Sequence, residues 1–192
     1  MRQLVYFVAT SADGFIAGPA GQFDFFPMQG DHIVAQAQEL PETLPVHVRD
    51  ALSVSIRQPR FDTVLMGRKT FEPARAAGLL EPYAPLDTIV FSRSEVPTQQ
   101  GSLRVTGDDP LRVVRELKGR AGRDIWLCGG AQLAGALLPE LDELVLKVNP
   151  VLAGDGIRLF DSRFSPRQLE LRTRRAFESG VTWLTFRVRD RA

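Results

Sequence analysis

Cysteine is nearly missing from this chain of 192 residues, and Cys128 stands alone. No internal disulfide can form, and a reducing, cytoplasmic setting is the simplest expectation. Histidine is also scarce: His32 and His47 lie far apart without cysteine partners, so no metal site is expected. An excess of one charge is missing too. The 24 basic and 23 acidic residues leave a formal net charge of +1. That balance offers no bulk field to recruit nucleic acid or a membrane surface. The N-terminal apolar run, residues 4–9, is far too short to span a bilayer and reads as a buried strand. Internal repeats and low-complexity segments are lacking.

What is present is the composition of a folded domain. The chain is 44% hydrophobic, and its length allows most of the unfolded surface to be buried without disulfides or metal. One domain over residues 1–192 is expected, because no stretch has linker composition. Apolar, β-rich runs occur at 4–9, 62–66, 87–91, 124–128 and 143–148, as expected of central strands covered on both faces. Between the third and fourth lies a helix signature over 110–118, with Asp109 as cap, Pro110 at the first position and Gly119 past the end. Strand, helix, strand in that order predicts parallel pairing through a crossover. The tail alternates instead: Leu169, Leu171 and Thr173 against Glu170, Arg172 and Arg174. A turn at Ser179-Gly180 then makes an antiparallel hairpin with a wet face. The proline-rich stretch 18–59 is expected to hold helices near 32–40 and 46–57.

Three strand ends invite a ligand, because open α/β sheets bind beyond the carboxyl ends of their strands. Met66-Gly67-Arg68-Lys69-Thr70 joins a tight turn to two cations and a helix start, with Thr70 as the expected N-cap. That fits a phosphate; a capped helix with two solvated basic residues fits equally well. Cys128-Gly129-Gly130-Ala131-Gln132 bares backbone where a strand meets a helix, although Gly-Gly also serves ordinary turns. Phe91-Ser92-Arg93-Ser94 places hydroxyls beside a guanidinium that can grip phosphate in a fork.

Taken in order, these segments resemble the dihydrofolate reductase-like superfamily, and within it the C-terminal reductase domain of RibD, the riboflavin-biosynthesis deaminase–reductase, with its stand-alone relatives. The resemblance runs through Ala9-Thr10-Ser11-Ala12-Asp13-Gly14-Phe15-Ile16-Ala17, Met66 to Thr70, Phe91-Ser92-Arg93 and Gly129 to Leu133. It ends at Asn149-Pro150-Val151-Leu152-Ala153-Gly154-Asp155-Gly156 and Leu159-Phe160. It implies a three-layer α/β/α fold with a mixed, mainly parallel sheet of about eight strands and a C-terminal antiparallel hairpin. It implies NADPH as cofactor. Ala9 and Ile16 match positions that meet the nicotinamide amide; Gly67, Arg68, Lys69 and Thr70 match the segment on the phosphates. Ser92 and Arg93 match the adenosine side and its 2′-phosphate. Gly129, Gly130, Ala131 and Gln132 match the turn beneath the pyrophosphate, where the family carries a cis Gly-Gly bond. Reduction of 5-amino-6-(5-phosphoribosylamino)uracil is the nearest activity, and a homodimer is expected.

The proton donor is open. Asp24 and Asp31 lie in the stretch where folate-reducing members carry an acid, and Asp31 equally suits a helix cap. Asp13 either contacts substrate or forms the turn that Asp-Gly signals. Cys128 reads as a packed small hydrophobe. Arg49, Arg57 and Arg158 are available to a phosphate-bearing substrate. Two alternatives stand beside the pyrimidine reductase: a pterin reductase of other specificity, and an NADPH-binding module without catalysis.

Overall fold

The computed structural model describes residues 1–94 and 102–189. Strand β1 (Leu4–Ser11) is the spine, because every second side chain serves a different core. Leu4, Tyr6 and Val8 enter one apolar cluster, while Val5 and Phe7 enter the other. This is how a continuous apolar run becomes a strand covered on both faces.

The remaining strands are β2 (Phe15–Ala17), β3 (Phe61–Gly67), β4 (Asp87–Phe91), β5 (Leu103–Thr106) and β6 (Asp124–Gly129). They continue as β7 (Glu143–Asn149), β8 (Ile157–Arg158), β9 (Leu169–Ala176) and β10 (Thr182–Val188). Eight of them form one sheet in the order β5-β4-β3-β6-β1-β7-β10-β9, and β2 pairs with β8 apart from it. The first six neighbours in that order run parallel. The last two join antiparallel. The mixed, mainly parallel sheet with a terminal hairpin is therefore present.

Helices cover both faces. On one side, α4 (Pro110–Lys118) and α5 (Ala131–Leu137) supply Val113, Val114, Leu117, Leu133, Ala134 and Leu137 to the core with Tyr6. On the other, α1 (Asp31–Glu39) and α3 (Arg68–Ala76) supply Ala35 and Phe71 to the core with Phe7 and Trp126. Each large apolar side chain so buried contributes about 1.5–3 kcal/mol. Helix α2 (Val46–Ala51) is short.

Several local expectations change. Helix α3 begins at Arg68 with Gly67 as its N-cap, so Thr70 lies inside the first turn and Pro73 inside the helix. Gly67, extended at φ −75° and ψ 156°, ends β3 and takes the cap position itself, so the chain already coils before it reaches the Thr70 hydroxyl. Helix α1 starts at Asp31, behind Gly30. Helix α2 stops at Ala51 rather than near 57, because Ser53 takes a φ of 53° and Val54 N–H turns back to Arg49 O at 2.9 Å. Strand β5 carries too short an apolar pattern to be read alone, and its pairing with β4 creates it. The hairpin is wetter than one face: β9 is an edge strand and largely exposed along its length, including Leu169 and Leu171.

The amino edge of the sheet is closed by charge. Arg2 pairs with Asp62 and donates to Thr63 Oγ1 at 2.8 Å. Arg60 reaches Asp124 at 3.2 Å and Glu143 at 2.8 Å. The buried Glu42 accepts the backbone N–H groups of Arg60 and Phe61 at 2.7 and 3.0 Å. The opposite, carboxyl edge is left for function.

Candidate active site

At that edge β4, β3 and β6 are neighbours. Gly67 pairs with Phe91, and Met66 pairs with Gly129. Register alone therefore brings the Gly67, Ser92 and Gly129 segments side by side. All of them, with Ala9 and Ile16, line a single cavity of about 1900 Å³. Every one of the proposed cofactor residues is in its wall: Ala9, Ile16, Gly67, Arg68, Lys69, Thr70, Ser92, Arg93, Gly129, Gly130, Ala131 and Gln132.

The wall is built for close approach to backbone. No side chain caps the N-terminus of α3, so its first N–H groups and the positive end of its dipole are free for an anion. Arg68 and Lys69 add full charges there, and both are exposed. The Gly129–Gly130 peptide is cis. Gly129 takes a φ of +138°, and a side chain on Gly130 would meet Thr70 Oγ1 at 3.1 Å. Glycine at these two positions therefore keeps the strand-to-helix turn bare. Arg93 follows β4, toward the β5 edge of the sheet, where the Ser92 N–H donates to Thr106 O at 2.9 Å, and Thr106 to Pro110 line the same wall.

The other half of the cavity is aromatic and holds one unexpected cation. Phe7, Phe26, Tyr83 and Trp126 face it. Lys147 of β7 pairs with Ala9 across the ladder, and its Nζ donates to Gln36 Oε1 at 2.9 Å. Burial pushes the ammonium down to about 8, weakly opposed by the neighbouring Cys128. Burial also pushes the Cys128 thiol up to about 12 and raises the Tyr83 hydroxyl well above its ordinary value.

The three acids sit elsewhere. None of Asp13, Asp24 and Asp31 is in the cavity wall. Asp13 accepts from Ser11 Oγ at 2.6 Å and from the N–H groups of Ala153 and Gly154 at 3.0 and 2.8 Å. The Ser11 hydroxyl and these two N–H groups lower its carboxyl to about 2. Desolvation acts against the charge of Asp31, but the N–H groups of Glu178 and Ser179 hold its pKa below the ordinary carboxylate value. Those bonds, at 2.7 and 3.1 Å, tie α1 to the β9–β10 turn. Asp24 is exposed on the loop before α1. Arg158 lines the cavity, whereas Arg49 is spent on the carbonyls of Leu44, at 3.0 Å, and Ala84.

The sequence reading passed over Lys147, Gln36, Thr43 and Tyr83. A signal for Lys147 existed: it breaks the apolar run of residues 144–148 at a position whose neighbours two residues back face a core. The His32 ring nitrogens meet Ser179 Oγ at 2.9 Å and Pro27 O at 3.1 Å. Among the described residues no three His, Cys, Asp or Glu side chains converge to hold a metal ion. No helix among them is long and apolar enough to cross a membrane.

The mainly parallel sheet with helices on both faces and a glycine-punctuated groove at its carboxyl edge is a dihydrofolate reductase-like fold. Residues 2–183 match the RibD C-terminal domain, and the chain belongs to that family. It is 27% identical over 185 residues to the uncharacterized protein YwjB of Bacillus subtilis (strain 168), covering 94% of this chain and 95% of that one. Its fold is similar to a putative riboflavin biosynthesis protein from Shewanella sp. PV-4, with a TM-score of 0.71, 21% identity and coverage of 98% and 99%. It is also similar to dihydrofolate reductase from Enterococcus faecalis complexed with NADP(H), with a TM-score of 0.63, 13% identity and coverage of 98% and 97%.

Proposed function

We propose that this chain is an NADPH-dependent reductase, a single domain acting on a pyrimidine- or pterin-type ring. The closest activity is reduction of 5-amino-6-(5-phosphoribosylamino)uracil. The reading is carried by one observation: Gly67, Ser92 and Gly129 share the wall of one cavity with the uncapped start of α3. A dinucleotide that carries a pyrophosphate and a 2′-phosphate needs that combination of bare backbone, helix N-terminus and nearby guanidinium groups.

In this reading Gly67, Arg68, Lys69 and Thr70 hold the cofactor phosphates, and Ser92 and Arg93 hold the adenosine side with its 2′-phosphate. Gly129, Gly130, Ala131 and Gln132 lie beneath the pyrophosphate and the nicotinamide ribose. Ala9 and Ile16 fix the nicotinamide. NADPH supplies the hydride. The protein's part is to orient the ring against it and to exclude water. The protein works in the cytoplasm as a homodimer.

The placement of Asp13, Asp24 and Asp31 outside the cavity wall favours a second reading, a cofactor-binding module without chemistry. Fluorescence titration with NADPH and NADH, followed by cofactor absorbance with a panel of pyrimidines and pterins, separates the two. Tight NADPH binding with oxidation by one of the panel supports the reductase. Binding without oxidation throughout supports the module, and absence of binding defeats both.

A further inference from the structure

Lys147 is a cation that the cofactor reading does not use. It stands on β7 beside Ala9, at the end of the cavity away from Arg93. Its ammonium lies over the Phe7 ring, with Nζ 4.6 Å from the centroid. Its one hydrogen-bond acceptor is itself fixed. Gln36 Nε2 donates to Thr43 Oγ1 at 2.9 Å, and that hydroxyl donates to Leu40 O at 2.7 Å. The chain of bonds aims Gln36 Oε1 at the ammonium and holds it there. An ammonium has three donors, and this arrangement satisfies one.

No carboxylate among the described residues pairs with it. Among the described residues the lysine ion pairs belong to Lys118, not Lys147. The carboxylates in the cavity wall are committed elsewhere or lie toward the cofactor end. Glu72 pairs with Arg75, Asp108 pairs with Arg104 and Arg112, and Asp109 caps α4. Asp161 follows the loop beside α5, where its N–H donates to Ala131 O at 3.0 Å. A half-buried cation that lacks a counter-ion is costly, and an anionic ligand repays the cost.

We propose that the inner half of the cavity takes a flat aromatic anion, and that Lys147 is the residue that selects it. Phe26, Tyr83 and Trp126 supply apolar surface for the ring, while Phe7 carries the ammonium. The ammonium, braced by Gln36, meets the anionic oxygen. This rests on the functional reading in one respect: the dinucleotide fills the Gly67 to Arg93 end and leaves this end to the substrate. The other polar side chains that line the cavity away from Arg93 are Cys128 from β6, Tyr83 ahead of β4, His32 and Gln36 from α1, Thr43, Asn149 from β7, and the Arg158 guanidinium, which β8 holds opposite Phe15 of β2 rather than beside Lys147. Burial keeps the thiol and phenol neutral, and the His32 ring is engaged on both nitrogens.

The test uses three bicyclic probes that differ in charge: 2-naphthoate, its neutral isostere 2-naphthamide, and 2-naphthylmethylammonium. Their binding is measured by calorimetry on the intact chain, with and without NADPH. We expect naphthoate to bind at least about tenfold tighter than the amide, the step for one charge-assisted contact, with the ammonium probe weakest. Lys147→Met removes the preference and Lys147→Arg keeps it. Naphthoate binding falls as pH rises through about 8, where the amine loses its proton, while naphthamide binding stays level. Equal affinity for acid and amide, a preference that survives Lys147→Met, or no binding of any probe overturns the proposal. NADPH affinity measured on the same samples judges the cofactor reading separately.

Discussion

The carboxylate of Asp13 accepts the backbone N–H of Gly154 at 2.8 Å, joining the turn after β1 to the loop after β7. With Ala153 N–H at 3.0 Å and Ser11 Oγ at 2.6 Å it makes a clasp, not a proton donor facing the cavity. Its pKa of about 2 lies below the ordinary carboxylate value of 3.8. A depressed carboxylate contributes stability that is present above its unfolded value and lost as pH falls through its folded value. The clasp should therefore hold from neutral pH down to about 4 and release toward 2. Hydrogen exchange at the amides of Ala153 and Gly154 checks this: protection drops across that window, and Asp13→Ala loses it at neutral pH.

Arg68 and Arg93 should give the cofactor its phosphate preference. Each change to alanine weakens NADPH by about 1–2 kcal/mol relative to NADH, the lower part of the range for a charge-assisted contact because both groups are exposed. Paired fluorescence titrations read the difference. Equal losses with the two cofactors would mean that the guanidinium groups do not meet the 2′-phosphate.

Gly135 in α5 faces the loop that carries Asp161. A Cβ there would lie 2.0 Å from the Asp161 carbonyl oxygen, and the Asp161 N–H is tied to Ala131 O at 3.0 Å. Backbone cannot yield as a side chain can. Gly135→Ala should cost about 1–3 kcal/mol of stability in urea unfolding and should shift the cavity wall at Phe160 and Asp161.

Glu42 is fully buried and holds the start of β3 through two backbone N–H groups. Glu42→Ala leaves those donors without an acceptor, and the expected loss is about 1–3 kcal/mol. Glu42→Gln retains an acceptor oxygen and should recover much of it. A smaller effect of alanine than of glutamine in urea titration would refute this account.

Much of the framework was legible because it rests on periodicity. The runs at β1, β3, β4, β6 and β7 are continuously apolar, and such runs have one good solution, a strand covered on both sides. The caps of α4 were equally plain: Asp109 accepts Leu111 N–H at 3.3 Å and Gly119 ends the helix. What was not legible depends on neighbours distant in the chain. Ser53 ends α2 early, β5 exists through β4, and α3 begins at Arg68 rather than after Thr70.

The sequence by itself determined that β-rich apolar runs end in glycine and cations, and hence that a parallel sheet carries ligand-ready loops at its carboxyl edge. Those are local facts, set by side-chain period and by the φ freedom of glycine. Only the tertiary structure decided which polar groups share the cavity. Strand register brought Gly67, Phe91 and Gly129 abreast and turned Lys147 inward. The loop after β7 and the β9–β10 turn drew Asp13 and Asp31 into backbone clasps. Whether a charge is spent on structure or left for a ligand depends on partners more than a hundred residues away, and no local pattern encodes that distance.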